Sequence, residues 1–294
     1  MHAPYADSAP AGKHTPGNVI PEGWFVRPVG ATWWSIAFRR PCIVAAFLVL
    51  VCGCRGAQGD KGRSTLRLYC GAGLQAVVAD AVAAFRARTG ITVEADYAGS
   101  GMLISRAKLD PKADLFMPGD VWYLEQIEKE GLLESRQMVT YFVPVILVEK
   151  GNPKGIRGLA DLARPGVRLA LGDSRACPVG RLSEQMFAKN GIDAAAVQKN
   201  LALSAVTVNE LGIQIKTGKL DAVIVWDAIA AQFADCGEAI PIPAAQNVTT
   251  RVPVAVLRCS TQPAAAARLA EFLASESGQA IFRKHHYTTA LPAP

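Results

Sequence analysis

TLRLYCGAGLQAVVADAVAAFRARTGITVEADYAGSG, residues 65–101, decides the fold. Leu66–Cys70 has the short apolar pattern of a strand and breaks at Gly71-Ala72-Gly73. Leu74–Arg88 then sets Leu74, Val77, Val78, Ala81, Val82 and Phe85 at helical spacing, and Gly90 closes the helix. Ile91–Tyr97 is a second strand, ending at Ala98-Gly99-Ser100-Gly101. A helix between two strands is the crossover that makes those strands parallel.

The pattern continues downstream. A short helix follows around Met102–Lys108, then a strand at Asp114–Met117 and a helix at Val121–Glu130 stopped by Gly131. This βαβαβα order implies a doubly wound parallel sheet with ligand loops at the carboxyl ends of its strands. Val139–Glu149 reads as a long strand leaving this first lobe for a second. There the pattern repeats: a short helix at Leu159–Ala163, a strand at Val167–Leu171, a loop at Gly172–Val179, a helix at Gly180–Lys189 capped by Gly191, a helix at Asn209–Thr217 and a strand at Ala222–Trp226. Thr250–Leu257 mirrors Tyr141–Val148 and reads as the return crossing, with Pro144 and Pro253 stiffening the two. Two amphipathic helices in Ala264–His286 pack back on the first lobe. The expected architecture is an α/β two-lobed clamshell, two doubly wound sheets joined by two crossing strands. Lobe I spans 65–143 and 254–294, and lobe II spans 144–253.

Upstream lies an export signal. Arg39-Arg40 precedes the apolar run Ile43–Cys52, which suits a signal core and is short of the roughly 20 residues that span a bilayer. Val51-Cys52-Gly53-Cys54 resembles a bacterial lipobox with Cys54 as the lipidated residue, and Cys52 is the weaker alternative beside bulky Val51. The segments are thus a signal region with lipobox over 1–54 and a polar tether over 55–64, which places the mature protein in the periplasm or on the cell surface, lipid-anchored to membrane. Beyond residue 54 the chain carries 27 basic against 23 acidic residues, too even a balance for nucleic-acid binding. With 50% hydrophobic and 19% charged residues, it is neither disordered nor a disulfide-dense miniprotein. Cys70, Cys177, Cys236 and Cys259 lack zinc-like spacing, and the histidines of this part are the adjacent His285 and His286, so no metal site and no cofactor are expected.

Four small-residue loops run from a strand into a helix: Gly71-Ala72-Gly73-Leu74, Gly99-Ser100-Gly101, Pro178-Val179-Gly180 and Thr207-Val208-Asn209-Glu210-Leu211. Helix starts present unpaired N–H donors and a partial positive charge, so four of them converging can hold an anion without lysine or arginine. Local roles compete at each position. Ser100 and Asp120 can cap helices, Thr207 with Glu210 fits a capping box, Asp173 fits an Asx-turn, and Trp226 suits a core as well as a cleft. Cys70 and Cys177 fit buried, inert thiols.

Ala-Asp-Leu-Phe-Met-Pro-Gly-Asp (113–120), the run 151–166, Leu-Ala-Leu-Gly-Asp (169–173), Pro-Val-Gly-Arg (178–181) and Gly-Lys-Leu-Asp-Ala-Val-Ile-Val-Trp-Asp (218–227) resemble a type II periplasmic solute-binding protein, and most the molybdate/tungstate-binding branch of ABC importers. The resemblance covers about residues 65–290. It implies capture of a tetrahedral oxyanion by hydroxyls and backbone N–H groups of both lobes, with Gly73, Ser100, Gly101, Val179, Leu211 and Trp226 as ligand-binding positions. Two departures stand out: Gly73 replaces a serine and Trp226 a tyrosine, which removes two hydroxyl donors and leaves one indole N–H. The implied partners are a small-molecule or oxyanion ligand and an ABC permease in the cytoplasmic membrane, with the protein acting as a monomer and not binding nucleic acid. The alternatives are another small solute in the same fold, a metal ion or metal complex among them, or an enzyme. An enzyme needs a base beside its nucleophile, and His285 and His286 lie far along the chain from every loop. An effector-binding transcription factor shares the fold, but this N-terminus reads as an export signal.

Overall fold

A computed structural model describes residues 65–291. The signal region, Cys54 and the 55–64 tether lie outside the described residues. β1 (Thr65–Gly71) turns through a single 3-10 turn, Ala72–Leu74, into α1 (Gln75–Thr89), which ends on Gly90 at φ 73°. A left-handed residue there ties off the last helical carbonyls at no Cβ cost. β2 (Thr92–Ala98), α2 (Ser100–Leu109), β3 (Leu115–Met117), α3 (Val121–Lys129) and β4 (Leu133–Phe142) follow. Then come β5 (Pro144–Glu149), β6 (Leu169–Gly172), α4 (Pro178–Lys189), α5 (Ala194–Asn200), β7 (Leu201–Ala205), α6 (Val208–Lys216), β8 (Ala222–Trp226), α7 (Asp227–Gln232) and β9 (Gly237–Pro241). β10 (Thr250–Leu257), α8 (Pro263–Ala274) and α9 (Glu276–Lys284) complete the chain. Among the described residues no helix is long and apolar enough to cross a membrane.

The strands form two five-stranded sheets of matching topology, β2-β1-β3-β10-β4 and β7-β6-β8-β5-β9. β1 runs parallel to β2 and β3, as β6 does to β7 and β8, and β10 and β5 run antiparallel beside them. Alternation along β1 explains the layers of the first sheet. Leu66, Leu68 and Cys70 are buried on the face that packs with Val77, Val78, Ala81 and Phe85 of α1. The opposite face buries Phe116, Ala255 and Leu257 with Leu103, Leu124 and Ile127 of α2 and α3.

The crossings differ from expectation. Val139–Glu149 is not one strand but the end of β4 and the whole of β5, broken at Val143. Pro144 has no N–H and holds the preceding residue extended, so it opens a strand rather than continuing one. Thr250–Leu257 does not cross at all: β10 lies wholly in the first sheet, and Thr250 already pairs with Phe142 ahead of the expected boundary at residue 254. Pro253 sits where the register of β10 shifts against β4, since it cannot donate to that ladder. The return path lies upstream, where the Asn247 side chain donates to the Pro144 carbonyl at 2.9 Å.

Candidate functional site

The six parallel strands aim their carboxyl ends at one place. Gly73 follows β1, Gly99 and Ser100 follow β2, Gly119 follows β3, Cys177 and Pro178 follow β6, Thr207 and Val208 follow β7, and Trp226 ends β8. All of these line one void of about 20 Å³ between the two sheets, and no charged side chain lines it. That space suits about one water, which needs roughly 10–15 Å³. The structure thus shows the two walls of the cleft drawn close together around a small void. A larger cavity of about 360 Å³, around Asp173, Phe187 and Val197, belongs to the second lobe alone and meets no strand end of the first.

Closure rests on glycines where backbones touch across the cleft. A Cβ on Gly99 would stand 2.5 Å from the Val206 carbonyl oxygen and 2.9 Å from that of Ala176. A Cβ on Gly73 would stand 2.8 Å from Val208 Cγ1 and 3.3 Å from both Cδ1 and Nε1 of Trp226. A side chain at position 73 would thus press on Val208 first and, less closely, on the Trp226 ring. The Trp226 ring stacks on Phe142 with centroids 4.4 Å apart, and the Tyr287 hydroxyl donates to the Gly73 carbonyl.

The expected site residues divide. Gly73, Ser100 and Trp226 come together at the void. Ser100 Oγ accepts the Gly119 N–H at 3.0 Å, so its own proton remains to be donated. Gly101, Val179 and Leu211 are not at the wall. The Gly101 N–H is taken by the Ala176 carbonyl at 3.2 Å. Val179 is fully buried in the first turn of α4, and its N–H is turned toward Cys177. Leu211 is also fully buried, and as the fourth residue of α6 its N–H falls within the helix's own ladder. Val208, at the first position of α6 and with no ladder partner due to it, stands at the void instead. Reading the helix start one residue late hid this.

None of the carboxylates near the cleft lines the void, and each has partners of its own. Asp120 caps α3 by accepting the Trp122 N–H at 2.9 Å. Asp173 accepts the Arg175 N–H at 2.8 Å, and the Arg175 side chain and N–H hold its carboxyl below the usual range. Glu210 closes the capping box with Thr207 and the Val206 N–H. Asp227 accepts from Ala228 N–H and Thr288 Oγ1, each at 2.8 Å, and burial pushes its pKa up. Burial also pushes the Cys177 thiol up to about 12, against the pull of the Val179 and Gly180 N–H groups, so at neutral pH it is a thiol and not a thiolate. Cys70 is raised by the same cause. Among the described residues no group of three or more His, Cys, Asp or Glu stands ready to hold a metal ion.

The family model described as bacterial extracellular solute-binding protein matches residues 66–288. A binding protein of Haemophilus influenzae is 29% identical over 225 residues, covering 76% of this chain and 91% of its own. The molybdate-binding protein ModA of Mycobacterium tuberculosis is 27% identical over 251 residues, covering 81% of this chain and 93% of its own. The solved periplasmic molybdate-binding protein of Azotobacter vinelandii superposes with a TM-score of 0.66 at 19% identity, over 78% of this chain and all of that one. With strand ends of two matched sheets closing on one small void, and a family model spanning nearly every described residue, the chain belongs to the bacterial extracellular solute-binding proteins.

Proposed function

We propose that this solute-binding protein captures a tetrahedral oxyanion of the molybdate or tungstate type by hinge closure and delivers it to an ABC permease. One observation carries the reading: six strand ends from both sheets converge on a void lined by neutral residues, glycines and helix starts beside the Phe142 and Trp226 rings. Such a wall supplies hydrogen-bond donors and no repelling carboxylate, which suits a dianion that can only accept. The 27% identity with a molybdate-binding protein points the same way. The moving bodies are 65–143 with 250–291 and 144–249, with the return crossing ahead of Thr250. The ligand bridges them and shifts the open–closed equilibrium by its preference for the closed cleft. Both walls come from one chain, so a monomer suffices.

A thermal-shift panel of molybdate, tungstate, sulfate, phosphate and divalent metals tests the ligand. At 100 times its Kd the right one stabilises by about 2.7 kcal/mol. Stabilisation by sulfate, phosphate or a metal, with none by molybdate or tungstate, replaces the proposed solute.

The lipobox reading adds an anchor at Cys54. Cys54→Ser releases the protein from membranes into the soluble fraction; retention on membranes rejects the anchor.

A further inference from the structure

We propose that Arg181 and Asp120 form a latch between the lobes, which makes Arg181 a positioning residue for solute capture; this rests on the hinge-closure reading. Asp120 stands after β3 on the first sheet and Arg181 in the first turn of α4 on the second, 61 residues apart, and their side chains pair across the closed cleft. Among the described residues no other ion pair joins the lobes. The neighbouring bridges are neutral: Gly101 N–H to the Ala176 carbonyl at 3.2 Å and Tyr123 Oη to the Arg175 carbonyl at 3.3 Å.

Asp120 is held ready on its own side. Its carboxylate is 1% exposed and accepts from the Trp122 N–H and from Thr250 Oγ1, each at 2.9 Å. Thr250 opens β10, where the chain re-enters the first sheet, so the acceptor is braced against the hinge itself. Opening leaves those two bonds intact and breaks the bond to Arg181. The arginine is less well served. Its guanidinium lies over the Trp122 ring at 5.3 Å, but Nε is buried with no partner, and burial lowers its pKa. When the cleft opens, water reaches that N–H.

Closing thus gains a charged contact and a cation–π contact, and loses hydration of one N–H and much of two charges. Terms this nearly balanced do not lock the cleft. They raise the fraction of molecules that are closed, and apparent affinity follows that fraction. Gly119, beside Asp120, and Pro178, before Arg181, both line the void, so the latch engages at the edge of the ligand's space.

The test compares wild type with Arg181→Met, Asp120→Asn, the double variant and Arg181→Lys. Two readouts are used: small-angle scattering of the ligand-free proteins and stopped-flow dissociation of molybdate. Ligand-free Arg181→Met has a larger radius of gyration than wild type, and molybdate leaves it about tenfold faster with an unchanged association rate. Asp120→Asn behaves alike, the double variant is no worse than either, and Arg181→Lys recovers part of the effect. Scattering identical to wild type in the ligand-free variants overturns the latch, whether or not molybdate is the solute. Should Arg181→Met not fold, the scattering of Arg181→Lys and Asp120→Asn decides in the same way.

Discussion

Ser100 uses one oxygen for two tasks. It accepts the buried Gly119 N–H, and its proton faces a space walled by both lobes. Ser100→Ala removes a donor to an anion, worth about 1.5–3 kcal/mol of affinity, and strands the Gly119 N–H at a cost of about 1–3 kcal/mol of stability. Calorimetry and urea unfolding read the two losses separately. Unchanged affinity takes Ser100 out of the site. At this scale the sequence was legible where partners are close along the chain. Asp120 with Trp122, Asp173 with Arg175 and Thr207 with Glu210 each bond within three residues, so local chemistry announces them. Arg181 gave no such sign, because its partner lies 61 residues back.

The starts of α2 and α4 carry glycines whose roles separate cleanly. A Cβ on Gly101 would stand 2.4 Å from the Arg175 carbonyl oxygen, across the cleft. A Cβ on Gly180 would stand 2.1 Å from the Gly172 carbonyl oxygen, inside the second lobe. Gly101→Ala therefore blocks closure, and solute affinity falls by at least about tenfold, while the open form keeps its fold, helped by the roughly 0.5–1 kcal/mol that alanine adds within a helix. Gly180→Ala overpacks its own lobe and costs about 1–3 kcal/mol of stability. Calorimetry and melting curves of the two variants distinguish these outcomes; wild-type affinity in Gly101→Ala shows that the lobes need not approach this closely. The elements that escaped the sequence reading have physical reasons of their own. β7 is an edge strand, largely exposed through Ala202, Leu203 and Ser204, so burial never imposed a pattern on it. α7 has six residues and follows β8 directly, with Asp227 in its first turn, so no loop announces it.

The two-lobed plan was legible because strand–helix alternation and glycine stops are local signals, repeated in both halves. The crossings were not, because an apolar run reads alike whether it stays in a sheet or leaves it. Pairing decides that, and pairing is a long-range property. The position of β10 between β3 and β4 has a further consequence. Every strand of the second sheet comes from one unbroken stretch, 144–241, whereas the first sheet stays split until residue 250 is made. Ribosomal synthesis runs in one direction, so the inserted lobe has all its strands before the outer lobe can finish. In that interval β3 and β4 present raw edges to other nascent chains, and this half-built sheet is where misassembly and chaperone demand concentrate.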